Sequence, residues 1–314
     1  MTTTSKPPTP KPDHEPDAGP DEGRVDRATF SVIIPTYRRP DLVIEAVASV
    51  RSQTRADWEC LVVDDGGGGP LDDLMTDPRI RVIRRPSSGG PAAARNTGLA
   101  EARGSIVTFL DDDDRYRPRR LELAAAALAD PAVDVALCWT AWFDPSAADR
   151  RSQDRPAANT DAGSSGRRLV GDIADVVLDA TTPHLGATAV RASAVLRFDE
   201  SYPAAEDVEW WLRTAATSRV ATVEAVGCEL RRHAGPRSNG TDVTGRIAAS
   251  EHLIHEHQAY FAVHPRAEAF RLARMGIMAL SSNDRRAART LLGRSLRRRP
   301  SALAARGFIR TWAT

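Results

Sequence analysis

The feature that most constrains the fold is an alternation of short apolar runs and helix-like segments over the first third of the ordered chain. Residues 30–34 (FSVII) and 59–63 (ECLVV) are nearly continuous apolar runs. Such runs suit strands buried on both faces. Residues 79–83 and 105–110 read as two further strands. Between them, 41–53 and 91–102 read as helices. The first is capped by Asp41 and carries Leu42, Ile44, Val47 and Val50 as its apolar residues. Strands and helices joined by short connections imply a parallel sheet wrapped by helices. Ligands of such sheets bind beyond the carboxyl ends of the strands. Three polar segments fall there: Pro35-Thr36-Tyr37-Arg38, Asp64-Asp65-Gly66 and the run Asp111 to Asp114.

The remaining pattern predicts a helix over 118–129, a strand over 133–143 and a loop or insertion over 144–168. A helix over 172–179, a strand over 186–190, a helix over 205–218 and a strand over 220–230 follow. Residues 1–28 are Pro-rich and aperiodic and read as a disordered tail. The predicted division is therefore a tail over 1–28, a catalytic α/β domain over 29–240 and a helical, arginine-rich region over 241–314.

Bulk properties exclude several classes. With 314 residues and a formal net charge of +1, the chain gives no electrostatic case for nucleic-acid binding. Cys60, Cys138 and Cys228 are far apart and lack metal-ligand spacing. No apolar stretch approaches the roughly 18–20 residues that span a bilayer. The expected location is the cytoplasm, with peripheral contact to the inner face of the membrane through the C-terminal basic helices as an option. The oligomeric state is not legible.

Four adjacent carboxylates at a strand end repel one another, and a hard divalent cation removes that repulsion. Mg2+ and Mn2+ take oxygen ligands, commonly carboxylates and substrate phosphates. An acidic turn capping the next helix is the competing explanation. Asp64 and Asp65 offer carboxylates to a base N–H or a ribose hydroxyl, or simply build a turn with Gly66. Arg95 lies near a helix start that favours phosphate. Glu206 and Asp207 open a helix, where they act as capping charges or as a general base beside an acceptor hydroxyl. Trp210 or Trp211 offers a ring to stack on a sugar, or packs in the core. His233, after Arg231 and Arg232, offers a nitrogen to a metal or helps bind phosphate, and His184 is a weaker candidate of the same kind.

Taken in order, SVIIPTYRRP (31–40), VVDDG (62–66), ARNTG (94–98) with Gly104, FLDDDD (109–114) and Glu206-Asp207 resemble the family 2 glycosyltransferases of the GT-A fold. The resemblance covers roughly residues 29–235. It implies a Rossmann-like, mainly parallel sheet flanked by helices, and a nucleoside-diphosphate sugar as donor. It further implies that Pro35, Thr36, Tyr37 and Arg38 border the nucleoside and that Asp65 contacts the base, with Asp64 its neighbour. Arg95, Asp111 and Asp112 would lie on the donor, and Asp113 would be the main ligand of Mn2+ or Mg2+, with His233 near the metal. Asp207 would be the catalytic base of an inverting reaction. Glu206, Trp210, Trp211 and His184 would fall on the side of an acceptor whose identity the sequence does not give. No QxxRW-type segment is present, unlike the processive synthases. A nucleotidyltransferase would be expected to carry a Gly-rich loop where Pro35-Thr36-Tyr37 stands. A non-catalytic nucleotide-sugar-binding protein would be expected to lose a carboxylate such as Asp113 or Asp207.

Overall fold

A computed structural model of the chain describes residues 29–144, 170–171, 182–232 and 242–312. The tail at 1–28, nearly all of the 144–168 loop and the 172–179 helix lie outside the described residues, as does His233.

Strands β1 (Phe30–Thr36), β2 (Trp58–Asp64), β3 (Ile80–Arg84) and β4 (Ile106–Phe109) pair in parallel in the order β3-β2-β1-β4. Helix α1 (Pro40–Arg51) follows β1, and α2 (Gly90–Glu101) precedes β4. Both carry proline in the first turn, where a missing N–H costs nothing. Side chains alternate along β1, so Ile33 enters one core while Val32 and Ile34 enter the other. Helix α2 approaches the sheet closely because its inner face is Ala92, Ala94 and Gly98. A Cβ at Gly98 would come within 2.5 Å of Ile33 Cγ2.

The second half of the sheet is mixed. It contains β5 (Arg115–Tyr116), β6 (Val135–Phe143), β8 (Thr188–Arg191) and β9 (Val220–Arg231), with the short β7 (Val170–Gly171) pairing β9. Strand β8 runs antiparallel to both β4 and β6, whereas β6 and β9 are parallel. The parallel pairing implied by the alternation therefore holds for β1 to β4, where crossover connections impose it. Helices α3 (Arg120–Ala127) and α4 (Glu206–Thr217) complete this half.

Five helices follow: α5 (Val243–Glu256), α6 (Gln258–Val263), α7 (Pro265–Ser281), α8 (Arg285–Arg298) and α9 (Ala302–Arg310). Asp242, Asp284 and Ser301 cap three of them by accepting from the N–H of Gly245, Ala287 and Ala304. Leu253, Leu272 and Met275 belong to the same core as Phe109, Val208, Trp210 and Trp211. The arginine-rich region is thus packed against the helix that carries Asp207.

Candidate active site

The carboxyl ends of β1, β2 and β4 meet along one edge. At β2, Asp64 accepts from Gly67 N at 2.8 Å and Gly68 N at 3.0 Å. Asp65 is buried and accepts from Arg85, from Ser88 Oγ at 2.7 Å and from the N–H groups of Gly89 and Gly90. Both aspartates thus order the loops at the end of β2, Asp65 at the start of α2. Gly66, at φ +79°, is needed there, since a Cβ would meet Ser88 N at 2.7 Å. Beyond β1, Tyr37 is 40% exposed, and the Arg38 guanidinium lies 4.9 Å from its ring centroid.

The aspartate run divides. The turn bond from Asp114 N to Asp111 O, at 3.1 Å, folds it back on itself. Asp112 faces β1, accepting from Thr36 Oγ1 at 2.8 Å, with Arg39 Nη1 3.4 Å away. Burial pushes its carboxyl up to about 7, against the pull of Arg39 and Thr36. Asp111, Asp113 and Asp114 instead each bring an oxygen within 4.8 Å of the others. Arg39 reaches Asp113 at 3.1 Å, and Arg231 N donates to Asp114 at 2.9 Å. His184 Nε2 sits 3.5 Å from Asp111 and 3.6 Å from Asp114, while its Nδ1 accepts from Gly186 N. Three converging carboxylates form a hard oxygen donor set, and that set fits Mg2+ or Mn2+.

This arrangement brings Asp114 and His184 to the cluster with Asp111 and Asp113. Asp114 reads as a turn cap, yet its side chain points to the cluster. His184, which reads both as a weaker metal or phosphate candidate and as an acceptor-side residue, abuts Asp111 and Asp114. Neither position is visible in spacing alone, because one depends on how the turn folds and the other on the return of the chain into β8. Arg39, inside the 31–40 motif, and Arg231 hold the run from either side, and the sequence assigns neither of them that part.

Arg95 ties this cluster to α4. Its side chain is 6% exposed and donates to Asp111 and Glu206, both at 2.9 Å. Burial raises the Glu206 carboxyl, the neighbouring Asp207 adds to the rise, and Arg95 opposes it. Asp207 follows in the first turn of α4 and accepts from its own neighbour, Val208 N, at 2.8 Å. Ala205 enters that turn at φ 65°, a left-handed conformation uncommon outside glycine.

Trp210 and Trp211 correct the sequence reading: both are fully buried and neither can stack on a sugar. Trp210 donates from Nε1 to Leu196 O and stacks on Phe198 at 5.5 Å. Asp207, in the first turn of the helix, is half-buried, whereas the two rings one turn on lie in the core. Glu206 is likewise turned into the protein, toward Arg95.

Comparison with known proteins agrees with this picture. The fold is that of the GT-A glycosyltransferases. Staphylococcus aureus TarS, residues 1–349 in complex with UDP-GlcNAc, superposes with a TM-score of 0.65 at 17% identity, covering 90% of this chain and 89% of that one. The mannosyltransferase PcManGT of Pyrobaculum calidifontis, in complex with GDP-Man and Mn2+, gives 0.54 at 21% identity over 90% and 79%. Residues 31–182 match glycosyl transferase family 2. An uncharacterized glycosyltransferase of Rickettsia felis is 41% identical over 97 residues, covering 30% of this chain and 16% of the relative. Glycosyltransferase GlyG of Streptococcus pneumoniae is 31% identical over 113 residues, covering 34% and 38%. The chain therefore aligns with well under half the length of these relatives.

Proposed function

We propose that the protein moves a sugar from a nucleoside-diphosphate donor to an acceptor hydroxyl, with inversion and with Mn2+ or Mg2+. The observation that supports it most is the unbroken series of contacts from Asp111, Asp113 and Asp114 through Arg95 and Glu206 to the helix start that bears Asp207. Relatives named as glycosyltransferases, and neighbours solved with UDP-GlcNAc and with GDP-Man and Mn2+, point the same way.

In this reading Pro35, Thr36, Tyr37 and Arg38 border the nucleoside, and Asp64 and Asp65 shape the loops around the base. Asp113, with Asp111, Asp114 and His184, stands where a divalent cation would be held. Such a cation neutralises charge developing on the departing diphosphate. Asp207 takes the proton of the acceptor hydroxyl as its oxygen attacks the anomeric carbon. The bond from that carbon to the diphosphate oxygen breaks on the opposite side, so configuration inverts. Arg95 holds the two halves of the site in register.

Asp207→Asn should leave nucleoside-diphosphate binding within about twofold while lowering turnover by at least 10²-fold, the lower range for a general base. Turnover near that of the parent would remove Asp207 from the role. The anomeric form of the product, read by NMR, tests inversion.

Among the described residues no helix is long and apolar enough to cross a membrane. Helix α9 nevertheless exposes Leu303 and Ile309 beside Arg306 and Arg310, with Trp312 exposed just past its end. Apolar and basic groups on one face suit an anionic bilayer surface, and we assign the peripheral contact to it. Flotation with phosphatidylglycerol vesicles should fall sharply in Ile309→Glu/Trp312→Glu. Equal flotation would refute the contact.

A further inference from the structure

The C-terminal helices lie beyond the segment that matches the family, yet one of their side chains reaches the catalytic edge. Arg271 sits on α7, next to Leu272, which shares a core with Val208 and Trp211 of α4. Its Nη2 donates to Thr182 Oγ1 at 3.2 Å. Thr182 is two residues before His184, whose imidazole faces Asp111. From Asp111 the contacts run through Arg95 to Glu206, and Asp207 is the next residue. Asp207 also acts on Arg271 electrostatically, opposing the lowering that burial imposes.

Among the described residues no ion pair closes between Arg271 and Asp207, and the buried Arg271 Nε has no hydrogen-bond partner. A buried N–H left without an acceptor is costly, and native proteins rarely retain one without a reason. Burial lowers the guanidinium to about 10, with Asp207 opposing the fall and Arg274 adding to it. At neutral pH it remains a cation, one helical turn from the exposed Arg274.

We propose that Arg271 is the anion-binding residue of the acceptor side, taking a phosphate or carboxylate that neighbours the hydroxyl to be glycosylated. The unpaired Nε supplies the missing donor, and the fork of the guanidinium suits a planar or tetrahedral oxyanion. An oxyanion on Arg271 places an adjacent hydroxyl toward Asp207. The proposal rests on the reading of Asp207 as the group that faces the acceptor. It also gives the C-terminal region a chemical role, that of selecting acidic acceptors.

The test uses the full chain, saturated with Mn2+ and the nucleoside diphosphate that stabilises it most, so that the donor side is filled. Glycerol 3-phosphate, glucuronate and glycerol are then titrated by calorimetry. Binding of either anion but not of glycerol is expected, weakened at least tenfold in Arg271→Gln and partly retained in Arg271→Lys. Equal binding by Arg271→Gln, binding of glycerol as tight as that of the anions, or binding of neither anion would overturn the proposal. Arg271→Lys keeps the charge, so a loss in both variants with an unchanged melting temperature would also count against a charge-based site. Asp207→Asn separates the two ideas. If it turns over normally the base assignment fails, whereas anion binding that depends on Arg271 stands or falls by itself.

Discussion

Arg95 holds two carboxylates from distant parts of the chain on one buried guanidinium. Its removal strands Glu206 and takes from Asp111 the guanidinium it shares. Breaking a buried pair from one side costs about 3–5 kcal/mol, so Arg95→Ala should lower the urea unfolding free energy by that order. Arg95→Lys, a point charge in place of a fork, should recover only part. At this scale the sequence marks which carboxylates matter but not how they are shared out. Four aspartates in a row carry no sign that Asp112 turns to Thr36 while Asp114 turns to His184. That division is set by a turn and by the contacts of Arg39 and Arg231. The two tryptophans show the opposite limit: an aromatic pair just after the Glu206-Asp207 carboxylates invites a sugar-stacking role, and burial removes it.

Among the elements, α2 and α4 carry the tightest constraints. The contact of Gly98 with Ile33 leaves no room for a methyl group. Gly98→Ala should destabilise by about 1–3 kcal/mol through overpacking, seen as a lower midpoint in denaturant. On α4, Glu209 pairs with Arg213 at 2.5 Å and is nearly buried. Burial opposes its ionisation, but hydrogen bonds from Arg213 and the nearby His257 imidazole outweigh it, and the carboxyl sits below the ordinary range. A depressed folded value means the stabilisation is present above the unfolded value near ~4.3 and fades as pH falls through the folded one. Glu209→Gln should therefore cost about 1–3 kcal/mol at pH 7, and the gap to the parent should close below roughly pH 4 in a melting series. Strands β1 to β4 were legible because each is a short apolar run ended by polar residues. The antiparallel course of β8 was not, because periodicity reports burial and leaves strand direction open.

For the whole molecule, the core that contains Trp210 and Trp211 also contains Leu253, Phe261, Leu272 and Met275. The boundary drawn near residue 240 on composition therefore runs through a shared core. Chain ending at 240 should lose solubility or bind hydrophobic dyes, and the full chain should unfold in one transition for this core. Two separate transitions, with a soluble and compact shorter chain, would support two independent units. The sequence marks Leu272, Met275, Leu291 and Leu292 as apolar positions in need of cover, but their arginine-rich surroundings do not show which core supplies it.

The central claim is that the acidic cluster at the end of β4 binds a nucleoside diphosphate through a divalent cation. Calorimetric titration of UDP, GDP, CDP, ADP and dTDP, with Mn2+ and with EDTA, tests it most directly in the parent and in Asp113→Ala. The expected result is binding of at least one nucleotide with Mn2+, weakened tenfold or more by EDTA and to a similar degree by Asp113→Ala. Binding of none of them, or binding that neither EDTA nor the substitution alters, would contradict it.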